Sequence, residues 1–265
     1  MSNAETVKSA DIEAKILKAL MTRRLGSEVM RKASDFYAGF VSPGDLCIDV
    51  GASVGLRTAV LSGIGASVVA VEPLRREASV LKTLFDQNPS VHFVNKALGD
   101  AVGQAEIHVS DVSGISSMSP EWRDGFAQWE FPQITKLPSS VRSRETLWSA
   151  TETVEVTTLD WIVAEYGAPG FVKIDVEGYE VRVLAGLSRP VASLSFEFHT
   201  YQLDCAGECI DILSGLGECV FNYVWAETFE FALDDWITPA SMSKTLSKIP
   251  NQSPWYGDVY ARFAL

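Results

Sequence analysis

An α/β fold built on a mostly parallel, doubly wound sheet is what this sequence predicts, on three observations. Short apolar runs rich in Val, Ile and Ala alternate with stretches whose apolar residues recur every three or four positions. Three of the runs end at an acidic residue, namely Asp49, Glu72 and Asp175. Two lead through a glycine-bearing turn into a helical pattern, "DVGASVG" and "DVEGYE". Parallel strands joined by helices give such a sheet, and its ligands bind in the crevice at the carboxyl ends of the strands.

Taken in order, residues 5 to 22 and 26 to 40 carry helical spacing, so two N-terminal helices precede the sheet. "SPGD" at 42 to 45 is a turn that launches a strand over 45 to 50, and a helix follows over 55 to 64. "ASVVAVEP" is a continuous apolar strand stopped by Pro73. Residues 75 to 87 read as a helix with Leu81, Leu84 and Phe85 inward. "VHFVNKAL" is a third strand, and "QAEIHVS" a fourth paired near it. From 111 to 150 no period is sustained, and prolines, serines, arginines and tryptophans crowd together. A connection that long is a lid or substrate loop, or lacks order. "ETVEVTTLDWIVAEYG" then gives a strand and a short helix starting near Thr158, and "FVKIDVEGYEVRVLAGL" is strand, turn and helix again. "ASLSFEFH" is a strand, 203 to 216 a helix, 219 to 224 a strand, and "DVYARFAL" closes the chain. The domain reading is a helical cap over 1 to 44 and one large domain over 45 to 265 with the insert inside it. "SNA" at the start reads as the remnant of an expression tag.

Composition narrows the function. The 22 Lys and Arg against 34 Asp and Glu give a net charge of −12 over 265 residues. A pI near 4.7 argues against a nucleic-acid backbone or an anionic membrane surface as partner. No apolar run approaches the roughly 20 residues of a membrane span, and the N-terminus lacks a signal-peptide apolar core. Cys205 and Cys209 are spaced for one helix face rather than a zinc knuckle. With Cys47 and Cys219 they read as free thiols in a cytoplasmic protein.

The first glycine turn defines a ligand. Gly51 and Gly55 let backbone approach a bound molecule, and a helix start supplies free N–H groups. A dinucleotide site wants G-x-G-x-x-G, but the turn reads G-A-S-V-G, with Ser53 at the middle position. Asp49 repels a polyphosphate and welcomes a cation. Glu72, at the end of the next strand, is placed to accept hydrogen bonds from two ribose hydroxyls. A sugar-bearing cation without phosphates satisfies all of this, and S-adenosylmethionine is one.

"IDVGASVG", "VVAVEP", "VEVTTLDWIV" and above all "FVKIDVEGYEVRVLAGL" resemble the FkbM family of S-adenosylmethionine-dependent methyltransferases over about 45 to 200. The resemblance implies a class I methyltransferase (Rossmann-like) fold, a seven-stranded sheet whose last strand is antiparallel, a place "DVYARFAL" can fill. It also implies methylation of hydroxyl oxygens of sugars and secondary metabolites, with S-adenosylhomocysteine as product. Ser53 departs from the family, which usually carries Asn there, a change that bears on the methionine end of the cofactor.

Cofactor contacts are expected from Asp49, Gly51, Ala52, Ser53, Gly55 and Glu72, with Lys96 and Ala97 lining the adenine. Ser116 and Ser117 lie where the family often has a serine pair near the cofactor; a plain polar loop is the competing reading. Asp175 orients the substrate hydroxyl or holds the cofactor amine, Glu177 caps the next helix, and Gly178 allows helix to pack on strand. Lys173 shares the Asp175 face and can pair with a carboxylate. "SFEFHT" puts Glu197 and His199 on one strand face with Phe196 and Phe198 on the other. His199, Glu197 and Asp175, in that order, are the candidate bases, against a buried His satisfied by a neighbour. A less favoured variant has Asp175, Glu197 and His199 hold magnesium or manganese. In the insert, Trp122, Trp129, Trp148, Phe126 and Phe131 form either a lid over the substrate or a small core of their own. Arg123, Arg142 and Arg144 either grip a substrate anion or are solvated.

The function these features predict is an S-adenosylmethionine-dependent O-methyltransferase acting on a small molecule, sugar or other glycan. The alternatives are methyl transfer to nitrogen, a nicotinamide-binding relative, and a non-catalytic protein that keeps the cleft as scaffold.

Overall fold

The computed structural model describes residues 27–110, 114–128, 147–250 and 256–264. The helix expected over 5 to 22, Trp129, Phe131, Arg142 and Arg144 lie outside these residues. The described elements are α1 (Glu28–Tyr37), β1 (Leu46–Val50), α2 (Leu56–Ile64), β2 (Ser67–Val71), α3 (Arg75–Phe85), β3 (Val91–Val94), β4 (Ala97–Leu98), β5 (Gly103–Val109), α4 (Pro120–Gln128), β6 (Ala150–Thr157), α5 (Leu159–Tyr166), β7 (Phe171–Ile174), α6 (Glu180–Ala185), β8 (Ser193–His199), α7 (Leu203–Leu216), β9 (Cys219–Trp225), α8 (Pro239–Leu246) and β10 (Tyr256–Phe263).

Seven strands make the main sheet in the order β3-β2-β1-β7-β8-β10-β9. The first five strands in that order run parallel, and β10 runs antiparallel to both β8 and β9. The parallel strands are short and apolar because helices cover both faces, which removes the need for a polar face. On one side Ile48, Val69, Val172, Leu194, Phe196 and Ile210 join a common core. On the other, Met30, Ala33 and Tyr37 of α1 pack with Leu61, Phe171 and Tyr260. The first described helix is therefore a layer of the sheet's own core, not a cover over the cleft.

Two expectations need correction. "VHFVNKAL" is not one strand: β3 ends at Val94, and β4 turns away to pair with β6 in a second sheet of order β4-β6-β5. Asn95 makes the break, its side-chain amide donating to the carbonyls of Glu72 (2.8 Å) and Pro73 (2.9 Å). The strand of "QAEIHVS" pairs with β6 antiparallel rather than with the third strand. In the insert, α4 buries Trp122 and Phe126 against Ile115, Leu147 and Trp148, the small core of its own that was one of the two arrangements expected.

The helix starts follow the sequence. Ser27 caps α1 and Thr158 caps α5, each accepting an amide three residues on. All four cysteines are free thiols. No described helix is long and apolar enough to cross a membrane.

Candidate active site

A cleft opens at the carboxyl ends of β1, β2 and β7, bounded by Gly51, Ser53, Glu72, Leu98, Asp175 and Glu177, with Lys96, Ala97, Ser110, Ser116 and Met118 beyond. Glu72 is its best-defined polar group. Buried to 6% exposure, it accepts from the Ser53 amide through Oε2 (2.8 Å) and from the Leu74 amide through Oε1 (2.9 Å). Burial nevertheless pushes its carboxyl up to about 7. Each oxygen keeps a lone pair for a ligand.

The glycines are explained differently from the sequence reading. Gly51 has φ 78°, and a Cβ there would run into the backbone carbonyl oxygen of Asp175. At Gly55 (φ 88°) it would meet Leu81 and Phe85 of α3 at 2.6 Å. Both are bare so that neighbouring elements fit, and only Gly51 also borders the cleft. Ser53 and Glu177 hold the left-handed region without being glycine, at φ 49° and 55°. Such backbones concentrate at ligand sites. Asn, the residue that the resemblance led one to expect at position 53, tolerates this region better than most.

Asp49 lies behind the turn. It is 2% exposed, does not border the cleft, and accepts from Thr58 Oγ1 of α2 at 2.6 Å. Ala52 is likewise buried and away from the cleft wall, its amide bonded to the Val71 carbonyl at 3.0 Å. Ser116 borders the cleft. Ser117 is fully buried and donates to the Glu177 carbonyl at 2.6 Å, which helps hold that residue's backbone.

Asp175 stands half-exposed in the cleft, paired with the buried ammonium of Lys173 at 3.2 Å; Lys173 also binds Asp258 at 2.9 Å. Burial alone would raise the Asp175 pKa, but Lys173 outweighs it and holds the carboxyl below its usual range. The two aspartates likewise overcome burial and hold Lys173 well above the usual lysine value. Asp258 comes from β10, directly opposite Glu197 of β8.

Glu177 does not cap α6. The start of α6 at Tyr179 has no side-chain cap; Glu180, its first residue, closes the preceding turn instead, its Oε1 accepting from the amides of Val176 (3.1 Å) and Gly178 (3.3 Å). The sequence reading missed Glu180, although an acidic residue in the first turn of a helix is a favoured placement. Gly178 makes room for the insert rather than for helix on strand: at φ 89° its missing side chain leaves space filled by Trp122.

Glu177, Glu197 and His199 meet instead. His199 Nε2 lies 3.4 Å from Glu197 Oε2 and 3.8 Å from Glu177 Oε2. Asp175 is not in this cluster; Glu177 takes the third place that was expected of it. Trp122 Nε1 sits over the same ring, 3.2 Å from Nε2 and 3.3 Å from Nδ1. Burial pulls the His199 pKa down to about 3, so the imidazole is neutral at pH 7. Burial, and then Asp175, raise both glutamates well above the normal carboxyl range. Glu197 and His199 face a small recess next to the cleft, and Glu177 is their link to it. Arg123, expected in solvent or on a substrate, is buried at 4%.

A seven-stranded sheet with β10 inserted antiparallel between β8 and β9, and a cleft at its strand ends, is the frame of a class I methyltransferase. Residues 49–223 match the family described as Methyltransferase FkbM domain, and the chain belongs to that family. Among solved structures it is similar to methyltransferase FkbM from Methylobacillus flagellatus KT, with 15% identity and a TM-score of 0.45 over 97% of this chain. The match covers 60% of that structure, so this chain spans about three fifths of its length. It is also similar to the O-methyltransferase from Bacillus cereus in complex with SAH (11% identity, TM-score 0.45, 97% of this chain and 91% of that one). A putative rRNA-methylase from Clostridium thermocellum gives 9% identity and a TM-score of 0.42, over 90% and 97%. No curated protein matches the chain in sequence.

Proposed function

We propose that the chain transfers a methyl group from S-adenosylmethionine to a hydroxyl oxygen of a small molecule or glycan. The observation that carries the reading is Glu72: a buried carboxylate, fixed by two backbone amides at the rim of a strand-end cleft. Its remaining lone pairs suit the two hydroxyls of a ribose, and Ser53 stands where the turn of a diphosphate site has its middle glycine. Apolar Leu98, Ile107 and Met118, with Ala97 between them, suit a flat base. Gly51, Ser53 and the ionised Asp175 suit an amino-acid end carrying an ammonium group. The donor set therefore fits the cofactor, which when bound supplies a methyl group already attached to a good leaving group.

What remains for the protein is alignment, exclusion of water and handling of one proton. Trp122, packed on Phe126, fills the space that Gly178 leaves next to Glu177. Asp175 orients a polar group in the cleft, and the Glu177–Glu197–His199 cluster receives the acceptor hydroxyl and its proton. Of the three candidate bases, only Asp175 borders the cleft directly; His199 and Glu197 reach it through Glu177. The −12 charge supports a small or glycan acceptor over a polyanion.

Isotopically labelled cofactor incubated with panels of sugars, hydroxylated metabolites and amines tests this, with mass spectrometry locating the label. The expected product carries label on oxygen. Label on nitrogen alone, or on RNA alone, contradicts the reading.

A further inference from the structure

We propose that Glu177, Glu197 and His199 form a binding site for one divalent cation of the manganese and magnesium class, at the carboxyl end of β8 beside the cleft. The site stands on its own geometry; its use in methyl transfer rests on the function proposed above.

The donor atoms of the three side chains all lie within 4.8 Å of one another. Their separations of 3.4 and 3.8 Å from His199 Nε2 are long for direct hydrogen bonds. They approach the spacing of neighbouring ligands around an ion with bonds of about 2.1–2.4 Å. Glu197 Oε2 carries the argument further. Its side chain is 10% exposed, the atom is buried, and it has no hydrogen-bond partner among the described residues while it points at His199. Gln202 Oε1 is a second buried acceptor without a partner among the described residues, and Gln202 borders the same recess. Orphaned acceptor oxygens of this kind are rare in folded proteins, and a cation or an ordered water is the usual remedy.

The nearby ammonium of Lys173 does not supply that cation, because its bonds go to Asp175, Asp258 and the Ile174 carbonyl. Two carboxylate oxygens with one imidazole nitrogen form an oxygen-rich set, and the imidazole favours manganese over magnesium. Trp122 sits 3.2 Å from Nε2, so ligation through that nitrogen moves the indole N–H off the ring. An ion held here adjoins Glu177 at the cleft wall, where it can bind an acceptor hydroxyl and make its proton easier to lose.

Chelator-treated full-length chain is titrated with Mn²⁺, followed by electron paramagnetic resonance and calorimetry. One Mn²⁺ per chain is expected, displaced by excess Mg²⁺. Glu197→Gln and His199→Gln are each expected to weaken it at least tenfold while binding S-adenosylhomocysteine within twofold of wild type. Lack of Mn²⁺ binding by the wild-type chain overturns the proposal, and decides the matter even if a variant fails to fold. Unchanged affinity in both variants, or binding of Zn²⁺ but not Mn²⁺, also overturns it. Mn²⁺ binding without any S-adenosylhomocysteine binding leaves this site standing and removes the function proposed above.

Discussion

Three carboxyls at the sheet's carboxyl edge behave differently because of what each touches. Glu72 is fixed by two amides and faces the cleft; Asp175 is held ionised by Lys173; Glu180 closes the turn before α6. Glu180 gives a test at this scale. Burial raises its pKa from 4.5 to about 7. Below pH 4.5 both folded and unfolded chains hold the proton and folding pays no penalty. As pH rises the unfolded chain releases it first, so this contribution to stability is lost between pH 4.5 and 7. The full difference is about 3 kcal/mol. Glu180→Gln keeps an acceptor for the Val176 and Gly178 amides but cannot ionise. Its urea midpoint relative to wild type is expected to be higher at pH 8 than at pH 5; a pH-independent difference contradicts the assignment. Glu72 and the Glu197–His199 pairing were legible in sequence, from spacing to a glycine turn and from alternation along a strand. The burial of Asp49 was not, because position at a strand end does not say which way a side chain points, and Thr58 nine residues on captures it.

At the scale of elements, the insert and the glycine turns depend on each other. Trp122 of α4 occupies the space that Gly178 leaves at the end of β7, and its indole N–H rests against His199 of β8. The Gly178→Ala substitution adds a Cβ at φ 89° and displaces Trp122. It is expected to lower stability by about 2–4 kcal/mol, read as a fall in the denaturant midpoint with altered tryptophan fluorescence. An unchanged midpoint contradicts the packing. The main-sheet strands and the helix start at Thr158 were readable, since apolar period and cap chemistry are local. The small sheet was not: whether "NKAL" continues β3 or leaves for β6 depends on Asn95 bonding the backbone just past the end of the neighbouring strand β2. Helix α8 was overlooked although Thr238 before Pro239 announces a helix start.

For the whole molecule, sheet topology decides where chemistry happens. Placing β10 antiparallel between β8 and β9 brings Asp258 opposite Glu197 and next to Lys173, so the last strand supports a site built from the middle of the chain. The net charge of −12, the covered sheet faces and the strand-end crevice suit a small nucleoside cation as ligand. Glu72 is the hinge of that account, and its pKa near 7 means that its charge is in place above neutrality. Calorimetric titration of S-adenosylhomocysteine at pH 8 into wild-type and Glu72→Gln chains is therefore the direct measurement. The account predicts one molecule bound per wild-type chain and affinity lower by about 10- to 100-fold in the variant, the loss of a hydrogen bond to a charged group. No binding to the wild type, or equal affinity in both, would contradict it.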